Sequence, residues 1–276
     1  ALADGRLKTI PTTDFADLLT KPTLPEKYRP TLYDFIAHEA LGFYTSGEFG
    51  ASKPEDAFEV QVGDPLLGPL DKFLAWQPQT TDTESPKIKA IRLFQDVLRF
   101  HLDDADLAAL NDADILRLLH GKKISVGNGS NDRFIEAMQA LVEREPGPLS
   151  AWARYYWAQT LHANGDFVRA RQVAIVGRDA FPNSRGGKHC HNLVAQIEQK
   201  SINIQTESIW NAPWPELSVV YRNITEVHFR LVPADWNKLR EKNFRLSSKE
   251  ERQALLKMEP VKSWRHDLPP TADYKQ

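Results

Sequence analysis

The spacing of the hydrophobic residues changes once along this chain, close to residue 200. Before that point apolar side chains recur every three or four residues, which is the period of a helix buried on one face. After Ser201 they alternate with polar side chains, as Ile202 and Ile204 do, which is typical of half-buried antiparallel strands. The sequence therefore predicts an α+β fold, with a mainly helical domain over residues 1–200 and a smaller β-rich segment over residues 201–276.

The clearest unit within the helical domain lies near residues 150–183. Two helical patterns meet at a turn in which Gly165 can adopt a positive φ and Asp166 can cap the second helix. Small side chains allow the two helices to approach closely; they are Ala158, Ala170 and Gly177. The unit resembles one tetratricopeptide repeat, although Arg154 and Leu161 stand where that repeat usually has tryptophan and tyrosine. We expect a short array of paired helices.

The middle of the helical domain gives two further expectations. Residues 107–119 predict one or two short helices, and Gly121-Lys122-Lys123 predicts a turn after them. Asp112 and Asp114 belong to an acidic stretch that does not fit a calcium-binding loop. We therefore expect these two carboxylates to cap helices or to face solvent.

The β-rich segment contains three predicted strands, polar helical stretches over residues 234–242 and 247–258, and a fourth strand that begins near Val261. Three or four strands cannot close a sandwich, and they would leave pairing edges bare. We therefore expect this segment to be incomplete and the chain to be the front part of a longer protein.

Composition argues against several functional classes. Lysine and arginine total 35 and aspartate and glutamate total 37, so no basic excess is present to neutralise nucleic acid. The single cysteine forms no internal disulfide and no four-cysteine zinc site. No apolar stretch has the length of a transmembrane helix. The first residues lack the pattern of a signal peptide and do not indicate a compartment.

No residue pattern predicts catalysis, a cofactor or a metal site, so we expect a protein that is not an enzyme. His38-Glu39 begins like a zinc-protease motif, but Gly42 stands where the second histidine ligand is needed. The triplet His189-Cys190-His191 has three potential ligands, yet successive helical side chains point about 100° apart. Cys190 falls on an apolar helical stripe, and we expect a buried core residue there.

Four side chains of the repeat-like unit are candidates for an interaction groove: Arg154, Tyr155, Gln159 and His162. Helical-repeat proteins use extended concave surfaces of this kind for binding. We therefore predict that a peptide or protein partner would contact these residues.

Several stretches of the chain resemble the N-terminal region of large bacterial α2-macroglobulin-like proteins. One runs from Arg29 to Leu41, and a second ends at Phe181-Pro182-Asn183-Ser184. Residues 214–231 are similar to the start of the macroglobulin β-sandwich domains of that family, and residues 264–274 fit the next strand and turn.

The resemblance implies a long exported protein, periplasmic or otherwise in the cell envelope or secreted, that inhibits endopeptidases. In such proteins a protease cuts a bait region and is then trapped. Many members carry a thioester motif Cys-x-Glu-Gln, but Cys190 is followed by His191-Asn192-Leu193, so any thioester lies beyond residue 276. The resemblance implies a structural role for this segment, with target proteases and envelope proteins as partners of the whole protein.

Two other interpretations stay open. The chain could be an independent tetratricopeptide-like adaptor, which requires that residues 86–145 leave the groove face of the Trp152 helix uncovered. It could also be an enzyme whose site the sequence hides, which requires a pocket with convergent titratable groups.

Overall fold

Helices dominate the residues that the structure describes. The computed structural model describes residues 2–15, 17–18, 26–47, 57–207, 216–233, 235, 237 and 248–276. These residues form an α+β fold with helices and small antiparallel sheets, as the change of hydrophobic period predicts. The chain divides into two compact units, Ala1–Ala195 and Gln196–Gln276.

The first unit is helical, with short 3-10 turns before and between the helices. Its helices are α1 (Leu32–Thr45), α2 (Leu70–Ala75), α3 (Pro86–Phe100), α4 (Ala108–Ile124), α5 (Ser130–Arg144), α6 (Pro148–Ala163), α7 (Phe167–Ala180) and α8 (Arg185–Glu198), the last of which continues into the second unit. Two short strands, β1 (Val60–Gln61) and β2 (Ser125–Val126), pair in parallel.

Helix α4 lies between two hydrophobic cores and contributes to both. The first core joins it to α1, α2 and α3 through buried side chains that include Ala37, Phe73, Ile91, Phe94 and Leu110. The second core joins it to α5 and α6 through buried side chains that include Ile115, Phe134, Met138, Leu141 and Trp152. Apolar residues therefore occupy more than one face of α4, as expected of a helix that is enclosed by others.

The predicted turn at Gly121 is wrong, because α4 continues to Ile124 as one helix. A Cβ on Gly121 would lie 2.8 Å from Leu67 Cδ2 and 3.1 Å from Leu66 Cγ. The glycine therefore allows the chain segment before α2 to pack closely against α4. Its sequence signal is that of a turn, but its role in the structure is close packing.

The paired helices of the repeat-like unit are α6 and α7. Gly165 has a φ of +79° and its N–H donates to the His162 carbonyl at 3.0 Å. The Asp166 carboxylate accepts from the Arg169 N–H at 3.1 Å and caps α7. Both predictions for this turn are confirmed.

Helix α8 approaches α6 at Gly186 and the chain after α7 at Gly187. A Cβ on Gly186 would overlap the backbone of Trp152, and a Cβ on Gly187 would overlap the backbone of Phe181 and Pro182. The side chains of Cys190, Leu193 and Val194 are buried on the same helix. The sequence places a further helix after Pro182, and the structure has one that is held close to α6 by glycine.

The described residues of the second unit form two separate antiparallel sheets of two strands each. Strand β3 (Ser201–Thr206) pairs with β4 (Leu217–Arg222), and β5 (Glu226–Leu231) pairs with β6 (Lys262–Asp267). Helix α9 (Lys249–Lys257) lies between β5 and β6 in sequence and agrees with the predicted helical stretch over residues 247–258. The stretch predicted over residues 234–242 falls outside the described residues, apart from 235 and 237.

Asn223 connects parts of the second unit that are distant in sequence. It has a positive φ of 57°, and its amide Nδ2 donates to the carbonyls of Ile197 and Gln199 at 2.9 and 3.2 Å. Its N–H donates to Thr271 Oγ1 at 2.8 Å. These bonds hold the start of β3 and the segment after β6 beside the turn between β4 and β5.

We predict that Gly186→Ala destabilises the helical unit. The added methyl group would lie 2.7 Å from the Trp152 Cα, and relief of that overlap requires α8 to move away from α6. We expect a loss of about 1–3 kcal/mol in the free energy of unfolding, measured by urea denaturation.

The matched control is Gly42→Ala within α1, because a Cβ there has no described atom within 4 Å beyond its own helix and chain neighbours. Alanine is the better helix former, so this variant should gain about 0.5–1 kcal/mol. Equal effects of the two substitutions would contradict the close approach of α8 to α6.

Candidate functional site

Three of the four predicted groove residues lie along one stripe of α6. The ring of Tyr155 stacks on Trp152 with a centroid distance of 5.3 Å. Gln159 Nε2 donates to the Tyr155 hydroxyl at 3.1 Å, and the ring of His162 meets the edge of Phe167 at 4.9 Å. Tyr155, Gln159 and His162 all keep part of their surface in solvent.

This stripe continues onto α8 through aromatic contacts. The His189 ring lies 4.9 Å from both Trp152 and Tyr155, and the Arg185 guanidinium lies 4.5 Å above the Trp152 ring. We call Trp152, Tyr155, Tyr156 and His189 the aromatic patch. Trp152 is 9% exposed, whereas the other three rings are half-buried.

Arg154 lies apart from the other groove residues, against α7. A Cβ on Gly177 of α7 would be 3.2 Å from the Arg154 Cβ and 2.8 Å from Cys190 Sγ. Burial lowers the pKa of the Arg154 guanidinium, an effect that the Cys190 thiol beside it opposes. The structure therefore brings Tyr155, Gln159 and His162 together, and it places Arg154 on the side where α6, α7 and α8 meet.

The triplet on α8 points in three directions, as helical geometry requires. Cys190 is fully buried, and its thiol faces the Ala151 carbonyl at 3.5 Å. Burial raises the pKa of this thiol to about 12. His189 belongs to the aromatic patch and His191 is exposed. The prediction that Cys190 is a core residue is confirmed, and among the described residues no group of three or more potential ligands could hold a metal ion.

A buried ionic network, which no sequence pattern predicted, is centred on Arg117 of α4. Arg117 is 1% exposed and donates to the carbonyls of Leu66 and Gly68 at 2.8 and 3.1 Å. Its Nε donates to the Asp114 carboxylate at 2.7 Å, and its guanidinium lies 4.7 Å from the centroid of the Phe73 ring. The expectation that Asp114 caps a helix or faces solvent is therefore wrong.

The same network continues from α4 to the junction between α5 and α6. Arg144 donates to Asp114 at 2.7 Å and to the Asn111 side chain at 2.9 Å. Asn111 donates to Glu145 at 2.5 Å, and the other Glu145 oxygen accepts from the Gly147 N–H at 2.6 Å. Each buried charge thus has a partner on another element, which is the condition for burying charge at acceptable cost.

Asp112 is also buried, contrary to the expectation that it caps a helix or faces solvent. Its side chain is 4% exposed, and one carboxylate oxygen has no hydrogen-bond partner among the described residues. Burial raises the pKa of Asp112 to about 6, although the nearby Arg29 and Arg185 guanidiniums oppose this shift.

A second buried ionic cluster joins α1 to the end of α3. His101 Nε2 bonds to the Asp34 carboxylate at 2.8 Å, and its Nδ1 bonds to Asp104 at 2.6 Å. Burial alone would lower the pKa of His101, but the bonds to the two carboxylates outweigh it and raise the pKa. Burial would likewise raise the pKa of Asp34, but His101 and Thr31 outweigh it and lower the pKa. The geometry therefore favours an imidazolium between two carboxylates.

We predict that Arg117→Met is strongly destabilising. Methionine fills part of the volume but leaves the Asp114 carboxylate and two carbonyls buried with fewer partners. Removal of one partner of a buried ion pair costs roughly 3–5 kcal/mol, to be measured as the free energy of unfolding in urea.

Arg92→Met is the matched control for this variant, because Arg92 is exposed on α3. A surface substitution of this kind is expected to change stability by less than about 0.5 kcal/mol. A similarly small effect at Arg117 would show that its network contributes little to stability.

We predict that the destabilisation caused by His101→Gln depends on pH. Because the folded protein raises the pKa of His101, the contribution of the imidazolium is fully present below its ordinary pKa of 6.5 and is lost as pH rises through the raised value. Asp34 contributes above its ordinary pKa of 3.8, and that contribution is lost as pH falls through its lowered value. The difference between the two proteins should therefore be largest between these limits.

The measurement is the free energy of unfolding of both proteins from pH 4 to pH 9. The difference between them removes the contribution of His120, whose pKa burial lowers to about 4 and which His101 does not affect. A difference that grows above pH 7 would contradict the assignment of a charged His101.

No helix among the described residues is long and apolar enough to cross a membrane.

Comparison with known proteins found no relative of this chain. No model of a known protein family, no curated protein and no solved structure matches the chain. A function for the chain therefore has to be argued from its own residues and their geometry.

Proposed function

We propose that this chain is the N-terminal helical and first β segment of an exported α2-macroglobulin-like protease inhibitor. Its role in that protein is structural: the helical unit positions the first of the macroglobulin sandwiches and contacts partners in the cell envelope. Chemistry on a substrate is not part of this role. The sequence resemblance over residues 29–41, 181–184, 214–231 and 264–274 suggested the proposal.

One observation carries the proposal: each two-stranded sheet of the second unit has an apolar face that remains partly exposed to solvent. In the first sheet the cross-strand pairs Ile202–Tyr221 and Ile204–Val219 share a face. Ile202 and Ile204 are 43% and 46% exposed. A two-stranded sheet is only marginally stable by itself, so a face of this kind is expected to be covered by further strands.

The second sheet repeats this pattern. Phe229 stacks on its cross-strand partner Trp264 at 5.0 Å, and Val227 and Leu231 flank them on the same face. Trp264 and Leu231 remain 38% and 42% exposed. Two apolar sheet faces are what the two layers of a β-sandwich bring together. A macroglobulin domain completed by additional strands would satisfy both of them.

The reading frame of the gene gives the first test. We expect it to continue past the codon of Gln276 and to encode further strands of alternating hydrophobicity, then a bait region. A stop codon directly after Gln276 would contradict the proposal, because no later strands could then complete the sheets.

The full-length protein gives the second test. Purified from its source and incubated with trypsin, it should inhibit cleavage of casein while hydrolysis of a small peptide substrate continues, because a trapped protease excludes large substrates only. The control is trypsin with the chain of residues 1–276 alone, which should leave both activities unchanged. Equal loss of both activities, or of neither, would contradict a trapping function.

The aromatic patch favours a second candidate, an adaptor that binds a peptide along α6 and α8. Tyr155, Gln159 and His189 offer half-exposed rings and an amide, and Arg185 adds a cation beside Trp152. Helix α5 packs against α6 through Met138 and Trp152, and Tyr28 joins the same core, so part of the α6 surface is covered. A stop codon after Gln276 would leave this candidate as the better one.

A further inference from the structure

A cavity of about 320 Å³ lies in the helical unit between α1, α3 and α4. Its apolar wall is formed by side chains from all three helices: Leu41, Phe94, Leu116 and Leu119. Its polar wall is formed by Arg29, His38, His120 and Lys123. The volume is at the lower end of the range for small-molecule sites, and a largely apolar lining with a few convergent polar groups is typical of them.

The two histidines present ring nitrogens that the protein itself does not use. Each is 6% exposed. His38 Nδ1 donates to the Asp34 carbonyl at 2.8 Å, which leaves a lone pair on Nε2. His38 Nε2 and both ring nitrogens of His120 have no hydrogen-bond partner among the described residues. Buried polar atoms are nearly always paired in proteins, so these nitrogens call for a further partner, which a water molecule or a ligand can supply.

Arg29 adds a further unused donor at the same cavity. Its Nε is buried and has no hydrogen-bond partner among the described residues. Burial is the main cause of the lowered pKa of His38, and the Arg29 guanidinium is close enough to add to it; Arg29 also opposes the burial that raises the pKa of Asp112. The Arg29 side chain is therefore a donor beside the cavity that the described residues leave unused at Nε.

The electrostatic environment of the cavity is positive. Arg29 and Lys123 line it, and among the described residues no carboxylate does. Lys123 donates to the Thr45 carbonyl at 3.0 Å, which holds the ammonium group between α4 and the end of α1. Lys87 and Lys123 both act on His120 and help burial to lower its pKa. The nearest acid to His38 is Asp34, whose carboxylate is already bonded to His101 and Thr31.

We propose that this cavity binds a small carboxylic acid with an apolar body. Its carboxylate accepts hydrogen bonds from Arg29 Nε and from the imidazoles of His38 and His120, and its apolar body contacts Leu41, Phe94, Leu116 and Leu119. The site does not depend on the proposed function, because every residue in it belongs to the helical unit.

Binding of a carboxylate requires the uptake of a proton. In the free protein His38 Nε2 is an acceptor, so it repels a carboxylate oxygen until the ring is protonated. The groups that face His38 are Arg29, Asp34 and His101, and those that face His120 are Lys87 and Lys123. Burial, aided by these cations, lowers the pKa of both rings to about 4, so both are neutral at pH 7 before a ligand binds. One proton therefore enters with each carboxylate, and the affinity depends on pH.

The test is titration of the 276-residue chain with benzoate, followed by long-range ¹H–¹⁵N NMR of the histidine rings. Benzoate should shift the ring nitrogens of His38 to protonated values, and it should also move those of His120, which can donate from its neutral ring. Its affinity should fall about tenfold per pH unit between pH 5.5 and 7.5, which is the slope for uptake of one proton. Sulfate, which lacks the apolar body, and benzyl alcohol, which lacks the charge, should each bind at least tenfold more weakly.

Variants identify the groups that bind the ligand. Arg29→Met and His120→Gln should each weaken benzoate binding at least tenfold, and His191→Gln, an exposed histidine on α8, should leave it unchanged. Circular dichroism shows whether each variant is folded; if one is not, the pH slope of the wild-type protein decides. No benzoate-induced shift at His38 and His120, or an affinity independent of pH, would overturn the proposal.

Discussion

The helical unit depends on one buried cation, the guanidinium of Arg117. It is bonded to two backbone carbonyls ahead of α2 and to Asp114 on its own helix, and it contacts the face of Phe73. Asp114 in turn binds Arg144, which extends the interaction to α5. A desolvated charge tolerates few geometries, because each lost partner leaves an unpaired polar group in the interior. The segment before α2, α4 and α5 are therefore held in one relative arrangement.

The residues that form this network were visible in the sequence but pointed to another interpretation. Asn111, Asp114 and Arg117 recur every three residues, so they lie on one side of α4. A polar stripe on a helix ordinarily faces solvent. In this protein the stripe faces other elements. The groups that pair with it, such as the carbonyl of Leu66 and the side chain of Arg144, lie far away in the sequence, so the local pattern does not reveal them. Periodicity identifies a stripe, but it does not identify what packs against it.

Features that depend on local chemistry could be predicted. The turn at Gly165-Asp166 needs only a residue that tolerates positive φ and a capping carboxylate. The strands after residue 200 follow from alternation, and the burial of Cys190 follows from its apolar stripe. The role of Gly121 could not be predicted, because glycine is common both in turns and at close helix contacts. Only the position of Leu66 and Leu67 in the structure distinguishes these two roles. Of the four predicted groove residues, Tyr155, Gln159 and His162 share a stripe of α6, whereas Arg154 packs against α7.

The place of α4 in two hydrophobic cores bears on how this unit unfolds. In a repeat protein each repeat contacts only its neighbours, so the ends can fray while the middle stays folded. Here α1, α2 and α3 on one side, and α5 and α6 on the other, share hydrophobic cores with the same seventeen-residue helix. Loss of either core exposes one side of α4 and weakens its hold on the other. Helices α1 to α6 therefore have the connectivity of a single cooperative block, even though α6 also belongs to a helix pair.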